Sequence, residues 1–222
     1  MDHLSPDQEQ QMELLKEAGT GVVMDALALA GLQGGVEGIH PVRGFEDSKL
    51  VGPACTIQFG LPRPDTPKLT TYGIIDHLPP GSILVIDAKG DPAHFAGDNV
   101  GSYAKLRGLL GVVIFGGARD VAGWRRAGMP LYATGLATKD KPAHRRLTGS
   151  QIPVEIGGVL VRPDDILVTD EDGVVIVPRE SLEVVIEKTK LVLEVEAAMQ
   201  DAFKRGAAGV ELAAIIARKK PK

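Results

Sequence analysis

The sequence has 222 residues, of which 44% are hydrophobic and 24% are charged, and its formal net charge is −4 at pH 7. These values are typical of a globular protein and exclude collagen-like, coiled-coil and largely disordered chains. Because Lys and Arg (25) do not outnumber Asp and Glu (29), and aromatic residues make up only 4%, nucleic acid is not expected as a direct partner.

The sequence also indicates a protein outside the membrane. It contains no apolar run long enough to span a bilayer, and its first residues lack the pattern of a signal peptide. Cys55 is the only cysteine, so it cannot form an internal disulfide, which agrees with a reducing cytoplasm. We expect one domain over residues 1–222, with an N-terminal helical segment (1–35) and a C-terminal helical extension (179–222).

The N-terminal segment predicts two helices separated by a glycine. Ser5 can cap a first helix over residues 6–18, which ends at Gly19. Thr20 can cap a second, shorter helix, which ends at Gly31.

The middle of the chain alternates between strand and helix patterns. The predicted strands cover residues 51–59, 83–86, 112–115 and 130–133, and the predicted helices cover residues 69–76, 99–106 and 121–127. Short apolar strands that give way to glycine or acid are typical of an α/β sheet, in which ligands bind at the carboxyl ends of the strands. The ends near Asp87 and Gly116 are therefore the places to look for a site.

In the last third of the chain, the residue pattern predicts short strands followed by helices. The strands cover residues 152–156, 159–162, 166–169 and 174–177, and the helices cover residues 180–204 and 210–217.

One group of polar residues combines metal-binding and anion-binding chemistry. Twenty residues separate Asp98, at the start of a predicted helix, from the Arg119-Asp120 pair after a predicted strand. The two aspartates offer oxygen ligands of the kind that Mg²⁺ or Mn²⁺ takes, and Arg119 can hold a carboxylate with two hydrogen bonds. Backbone N–H groups of Asn99 and Val100 could contact the same anion. The alternative is that both aspartates are ordinary helix caps.

These residues also carry a resemblance. Gly-Asp-Asn-Val at residues 97–100 and Gly-Gly-Ala-Arg-Asp at residues 116–120 resemble the signature of the class II pyruvate aldolases of the 4-hydroxy-4-methyl-2-oxoglutarate aldolase type, in the RraA-like superfamily. Similar residues occur from Thr20 to Pro178. The same superfamily includes regulators of ribonuclease E activity.

The resemblance implies a fold and a set of roles. The fold is an α/β RraA-like α/β/β swivelling-domain-like sandwich with N- and C-terminal helices. Asp120 would bind the divalent cation (Mg²⁺ or Mn²⁺) directly, and Asp98 would hold a water on it. Arg119, with Gly97 and the amides of Asn99 and Val100, would bind the pyruvyl part of the substrate.

The implied activity is cleavage of 4-hydroxy-4-methyl-2-oxoglutarate, or a related 4-hydroxy-2-oxo acid, to pyruvate and a 2-keto acid, with oxaloacetate decarboxylation at the same site. The metal would act as a Lewis acid on the 2-keto oxygen, so no Schiff-base lysine is needed. One departure is Gly123, because some members have an acid at this position.

The resemblance also implies a homo-oligomer, a trimer or hexamer, in which a C-terminal glutamate completes a neighbouring site. Glu194 and Glu196 are the candidates. Helical periodicity places Glu196 among apolar residues and Glu194 on the polar face, which favours Glu196. The alternative function is a non-catalytic protein-binding regulator of ribonuclease E, against which the helical segments at both ends argue.

Two further sets of residues complete the candidates. A distal carboxylate of the substrate could meet any of four side chains: Arg43, Arg63, Lys89 and His94. A local basic cluster, which is typical of a solvated loop, contains Lys139, Lys141, Arg145 and Arg146.

Overall fold

The computed structural model describes residues 6–66 and 68–219. The helices are α1 (Pro6–Leu29), α2 (Thr71–Ile75), α3 (Asp98–Leu106), α4 (Val121–Ala127), α5 (Leu182–Lys204) and α6 (Gly209–Ile216). The first six strands are β1 (Gly35–Val36), β2 (His40–Pro41), β3 (Leu50–Gly60), β4 (Ile83–Asp87), β5 (His94–Ala96) and β6 (Gly111–Ala118). The others are β7 (Leu131–Leu136), β8 (Arg146–Ser150), β9 (Val154–Ile156), β10 (Val159–Val161), β11 (Ile166–Asp170) and β12 (Gly173–Val177).

A large mixed sheet organises the fold. Its strands follow the order β1-β12-β11-β3-β4-β6-β7-β2, with β8 added to β3 and β5 added to β6. The pairs β3–β4, β4–β6 and β6–β7 are parallel, whereas β11 pairs antiparallel with both β3 and β12. The long strand β3 therefore belongs to a parallel half and an antiparallel half, and β9 and β10 form a separate hairpin.

Alternation of side chains along the strands divides the core into layers. On β4, Ile83 and Val85 lie in a central core with Leu167 and Ile176 of the antiparallel half. The residues between them face the opposite way, toward α2 to α4. In the antiparallel half, the outward set packs on α1 and α5. The expected α/β sandwich with helices at both ends is confirmed.

A buried carboxylate shapes the N-terminal helix. α1 breaks at the predicted glycine, Gly19, which has φ 75°. The Thr20 backbone N–H and hydroxyl donate to the two carboxylate oxygens of Asp170, each at 2.7 Å. The prediction that Thr20 itself caps the second half is therefore wrong, since Asp170 supplies the acceptor. Ser5, the predicted first cap, lies outside the described residues.

The contact between α3 and α4 depends on one glycine. A Cβ on Gly101 would lie 2.4 Å from Cε3 of Trp124, so only glycine lets the two helices approach this closely. Trp124 is fully buried, and its Nε1 donates to the Arg119 carbonyl at 2.9 Å. This packing fixes the beginning of α4 relative to the beginning of α3.

None of the helices that the structure describes combines the length and apolar character needed to cross a membrane.

Candidate active site

The structure brings Asp98 and Asp120 together by a reciprocal arrangement of α3 and α4. A Cβ on Gly97, just before α3, would lie 2.6 Å from Asp120 Oδ2. A Cβ on Gly123, in the first turn of α4, would lie 2.0 Å from Asp98 Oδ2. Each carboxylate therefore lies over the beginning of the other helix, in space that a side chain would otherwise fill.

Neither carboxylate serves as a helix cap. The N-cap of α3 is Gly97, and Asp98 is the first residue of the helix. Asp120 occupies the N-cap position of α4, but its side chain accepts no capping hydrogen bond. It adopts a left-handed conformation (φ 61°), which is uncommon outside glycine, asparagine and aspartate. The alternative interpretation as ordinary caps is therefore not supported.

Arg119 lies between two carboxylates. Its Nε is 3.1 Å from Asp120 Oδ2, and its Nη1 is 3.4 Å from Asp140 Oδ1. The Arg119 side chain is 45% exposed, so part of the guanidinium faces an open groove lined by residues 118–121 and 136–138. This leaves donors for an incoming anion.

Asp140 was not predicted from the sequence. Its Oδ1 lies 3.2 Å from His94 Nε2, and His94 Nδ1 lies 2.8 Å from the Lys139 carbonyl. Because a carbonyl can only accept, Nδ1 carries a hydrogen. His94, considered above only as a partner for a distal carboxylate, thus lies beside the acid that contacts Arg119. The loop containing Asp140 has no periodic pattern that could have indicated it.

The two predicted backbone donors differ in availability. The Val100 N–H donates to the Gly97 carbonyl at 3.0 Å. The Asn99 N–H has no acceptor among the hydrogen bonds of residues 6–66 and 68–219, and Asn99 is exposed. Asn99 is therefore the better placed of the two amides to meet a ligand.

The charges of the site suit a divalent cation. Asp120 and Asp140 contact Arg119, whereas Asp98 faces Arg126, whose Nη2 is 3.9 Å from Asp98 Oδ2. An acidic substrate would be repelled unless a cation offset the excess of carboxylates. No group of three metal-ligating side chains occurs in the described part of the chain. Mg²⁺, however, is usually held by one or two carboxylates and several waters, and the two aspartates fit that requirement.

Two other predicted residues lie in different surroundings. Lys89 binds the buried Asp87 carboxylate, with Nζ 2.6 Å from Oδ2. Glu196 lies on the surface formed by α1, α5 and α6, where its nearest cation is Lys219 at 3.7 Å. Its side chain is 48% exposed, so within one chain Glu196 is available to a partner rather than to Arg119.

Comparisons with known proteins identify the family of the chain. The family model described as "RraA-like: Aldolase/RraA" matches residues 20–176. A protein of Halalkalibacterium halodurans named "Putative 4-hydroxy-4-methyl-2-oxoglutarate aldolase" is 34% identical over 166 residues, which are 73% of this chain and 75% of that protein. Protein DlpA of Legionella pneumophila is 30% identical over 198 residues, 88% of this chain, but the match spans only 32% of that protein.

A solved structure supports the same relationship. Streptomyces coelicolor RraAS2, described as an unusual member of the RNase ES inhibitor RraA protein family, superposes with a TM-score of 0.74 and 26% identity. The match covers 88% of this chain and 96% of that structure. The comparisons give no support to the expectation that nucleic acid is not a partner. From the family model and the shared fold, we conclude that the chain belongs to the RraA-like family.

Proposed function

We propose that the protein is a divalent-metal-dependent class II aldolase. It cleaves 4-hydroxy-4-methyl-2-oxoglutarate, or a related 4-hydroxy-2-oxo acid, to pyruvate and a second 2-keto acid, and it decarboxylates oxaloacetate at the same site. The observation that carries the proposal is the pair of carboxylates, Asp98 and Asp120, held over opposing helix beginnings beside Arg119. Relatives named as aldolases support the same class of reaction.

The chain's own residues have distinct roles in this proposal. Asp120 would bind the cation directly and Asp98 would hold a water bound to it; the cation, when bound, supplies Lewis acidity toward the 2-oxo oxygen. Arg119 binds the substrate carboxylate through the exposed part of its guanidinium, and the Asn99 N–H donates to the same anion. Asp140, which lies beside His94, is the second carboxylate that contacts the Arg119 guanidinium.

The activity is tested by a coupled pyruvate assay on the full chain. Pyruvate should form from 4-hydroxy-4-methyl-2-oxoglutarate and from oxaloacetate with Mg²⁺ or Mn²⁺, and EDTA should abolish its formation. Since oxaloacetate also decarboxylates in solution with metal alone, each rate is corrected against a reaction without protein. Failure to form pyruvate from either substrate above that background would remove the catalytic proposal.

Arg119→Lys should lower kcat/KM while leaving metal binding intact. A lysine keeps the charge but cannot make two parallel hydrogen bonds to a carboxylate. The loss of one charge-assisted hydrogen bond corresponds to roughly a 10- to 100-fold decrease. Steady-state kinetics gives the change, and titration with Mn²⁺ gives the metal affinity. Wild-type kinetics in this variant would show that Arg119 does not bind the carboxylate.

We also propose that the protein assembles as a trimer or hexamer in which Glu196 completes a neighbouring site. Support comes from exposed apolar side chains on the C-terminal helices, including Phe203 (52% exposed) and Ile216 (49% exposed). Exposed apolar groups on one surface are typical of an interface. We also propose that the protein is cytoplasmic, and its free, buried Cys55 is consistent with a reducing compartment.

A protein-binding regulator of ribonuclease E is the second candidate, because RraAS2 is described within an RNase ES inhibitor family. The N- and C-terminal helical segments argue less strongly against a regulator than expected, because the match to RraAS2 covers 88% of this chain. Inhibition of purified ribonuclease E distinguishes the two functions. A regulator should inhibit equally well when Asp120 is replaced, whereas an aldolase should lose its activity.

A further inference from the structure

A second concave site lies beside β5 and shares no lining residue with the groove at Arg119. Its floor is apolar: Phe59 and Phe95 meet edge to face with ring centroids 5.0 Å apart, and only 4% and 7% of these residues are exposed. Phe95 lines this pocket, whereas its neighbour His94 contacts Asp140 on the side of the candidate active site. We call this site the basic pocket.

The walls of the basic pocket are positively charged. Five cationic side chains line it: Arg63, Lys68, Lys141, Arg145 and Arg146. Only Arg145 has a carboxylate partner within the described residues, since its Nε is 4.0 Å from Asp91 Oδ2. The other four cations make no ion pair in the part of the chain that the structure describes.

The arrangement of these cations indicates the size and charge of a ligand. Arg63 and Lys68 come from the loop after β3, whereas Lys141 precedes β8 and Arg146 is its first residue. Cations on two walls can bind two acidic groups of one molecule at once. The buried aromatic floor cannot stack on bases, which disfavours single-stranded nucleic acid as the occupant.

We propose that the basic pocket binds a small organic anion with two or more carboxylate or phosphate groups, separately from the aldolase substrate. The sequence alone predicts that Lys141, Arg145 and Arg146 are solvated loop residues, whereas this proposal gives them a binding role. Phe95 of the pocket floor directly follows His94 in β5.

The proposal is tested by calorimetry on the full chain in metal-free, low-salt buffer. Citrate represents the carboxylate source and inorganic pyrophosphate represents the phosphate source, and the probe that binds more tightly identifies the ligand class. Binding should weaken as salt is added, because the contacts are between charged groups. The Lys141→Ala/Arg146→Ala variant should bind at least about tenfold more weakly.

Two controls isolate the pocket. Lys16→Ala/Lys190→Ala removes the same charge from exposed positions on α1 and α5 and should change the affinity less than about twofold. Asp120→Asn should bind the probe as the wild type does. Absence of binding by both probes, or equal weakening in both double variants, would overturn the proposal. So would loss of binding in Asp120→Asn, or binding of a short RNA alone through Lys141 and Arg146.

Discussion

Asp120→Asn should lower the rate of pyruvate formation roughly 10²- to 10³-fold, the cost typical of removing one group that stabilises developing charge in an enzyme. Asparagine keeps the shape of the side chain and tolerates the left-handed backbone at this position (φ 61°), so the substitution removes charge without adding strain. A neutral amide oxygen is also a weaker ligand for a hard cation, and titration with Mn²⁺ should show weaker binding.

Asp47→Asn provides the matched control for this variant. Asp47 is exposed and makes no ion pair or side-chain hydrogen bond in the described residues, so its replacement changes the net charge equally and should preserve the kinetics. Thermal unfolding by circular dichroism should give similar Tm values for both variants. An Asp120→Asn enzyme with nearly normal turnover would show that the catalytic centre lies elsewhere.

Gly123→Ala should disrupt the same site through packing. The new Cβ would lie 2.3 Å from the Cβ and 2.0 Å from the Oδ2 of Asp98, so the Asp98 side chain and its backbone must move. Overpacking of this kind typically costs about 1–3 kcal/mol of stability. Because the displaced carboxylate is proposed to hold the metal-bound water, kcat/KM should fall even at temperatures at which the variant is fully folded.

Gly21→Ala is the corresponding control. Gly21 lies in α1, where a Cβ would meet no atom within 4 Å, so alanine should stabilise the helix by about 0.5–1 kcal/mol without affecting turnover. Both variants are assayed well below their Tm, after urea unfolding has given their free energies of unfolding. Normal activity in a folded Gly123→Ala protein would contradict the proposed position of Asp98.

Much of this geometry was predictable because it depends on local patterns. Buried strands such as β4 and β6 are unbroken apolar runs, and their order with α3 and α4 was read from residue types alone. Arg119 and Asp120 follow β6 directly, whereas Asp98 follows β5, a short strand that the sequence did not predict. Their proximity is a consequence of the parallel pairing of β5 with β6, whose carboxyl ends lie at one edge of the sheet.

Other features depend on contacts that no local pattern shows. β8 (Arg146–Ser150) was missed because its sequence is polar, and it is a strand only through its pairing with β3. Residues 152–153 were expected in a strand, which instead begins at Val154. The acceptor for Thr20 is 150 residues away in the chain, at Asp170. The contact between Asp140 and Arg119 likewise joins two segments that only the folded sheet brings together.

The buried indole of Trp124 gives the protein an internal optical reporter. It is the single tryptophan of the chain, and its Nε1 donates to the carbonyl of Arg119, the residue next to Asp120. All tryptophan emission therefore originates from one ring, which is hydrogen-bonded to the backbone of the candidate active site. Any ligand that shifts this backbone segment alters the intensity or wavelength of that emission, so binding can be followed in unlabelled protein and on the timescale of rapid mixing.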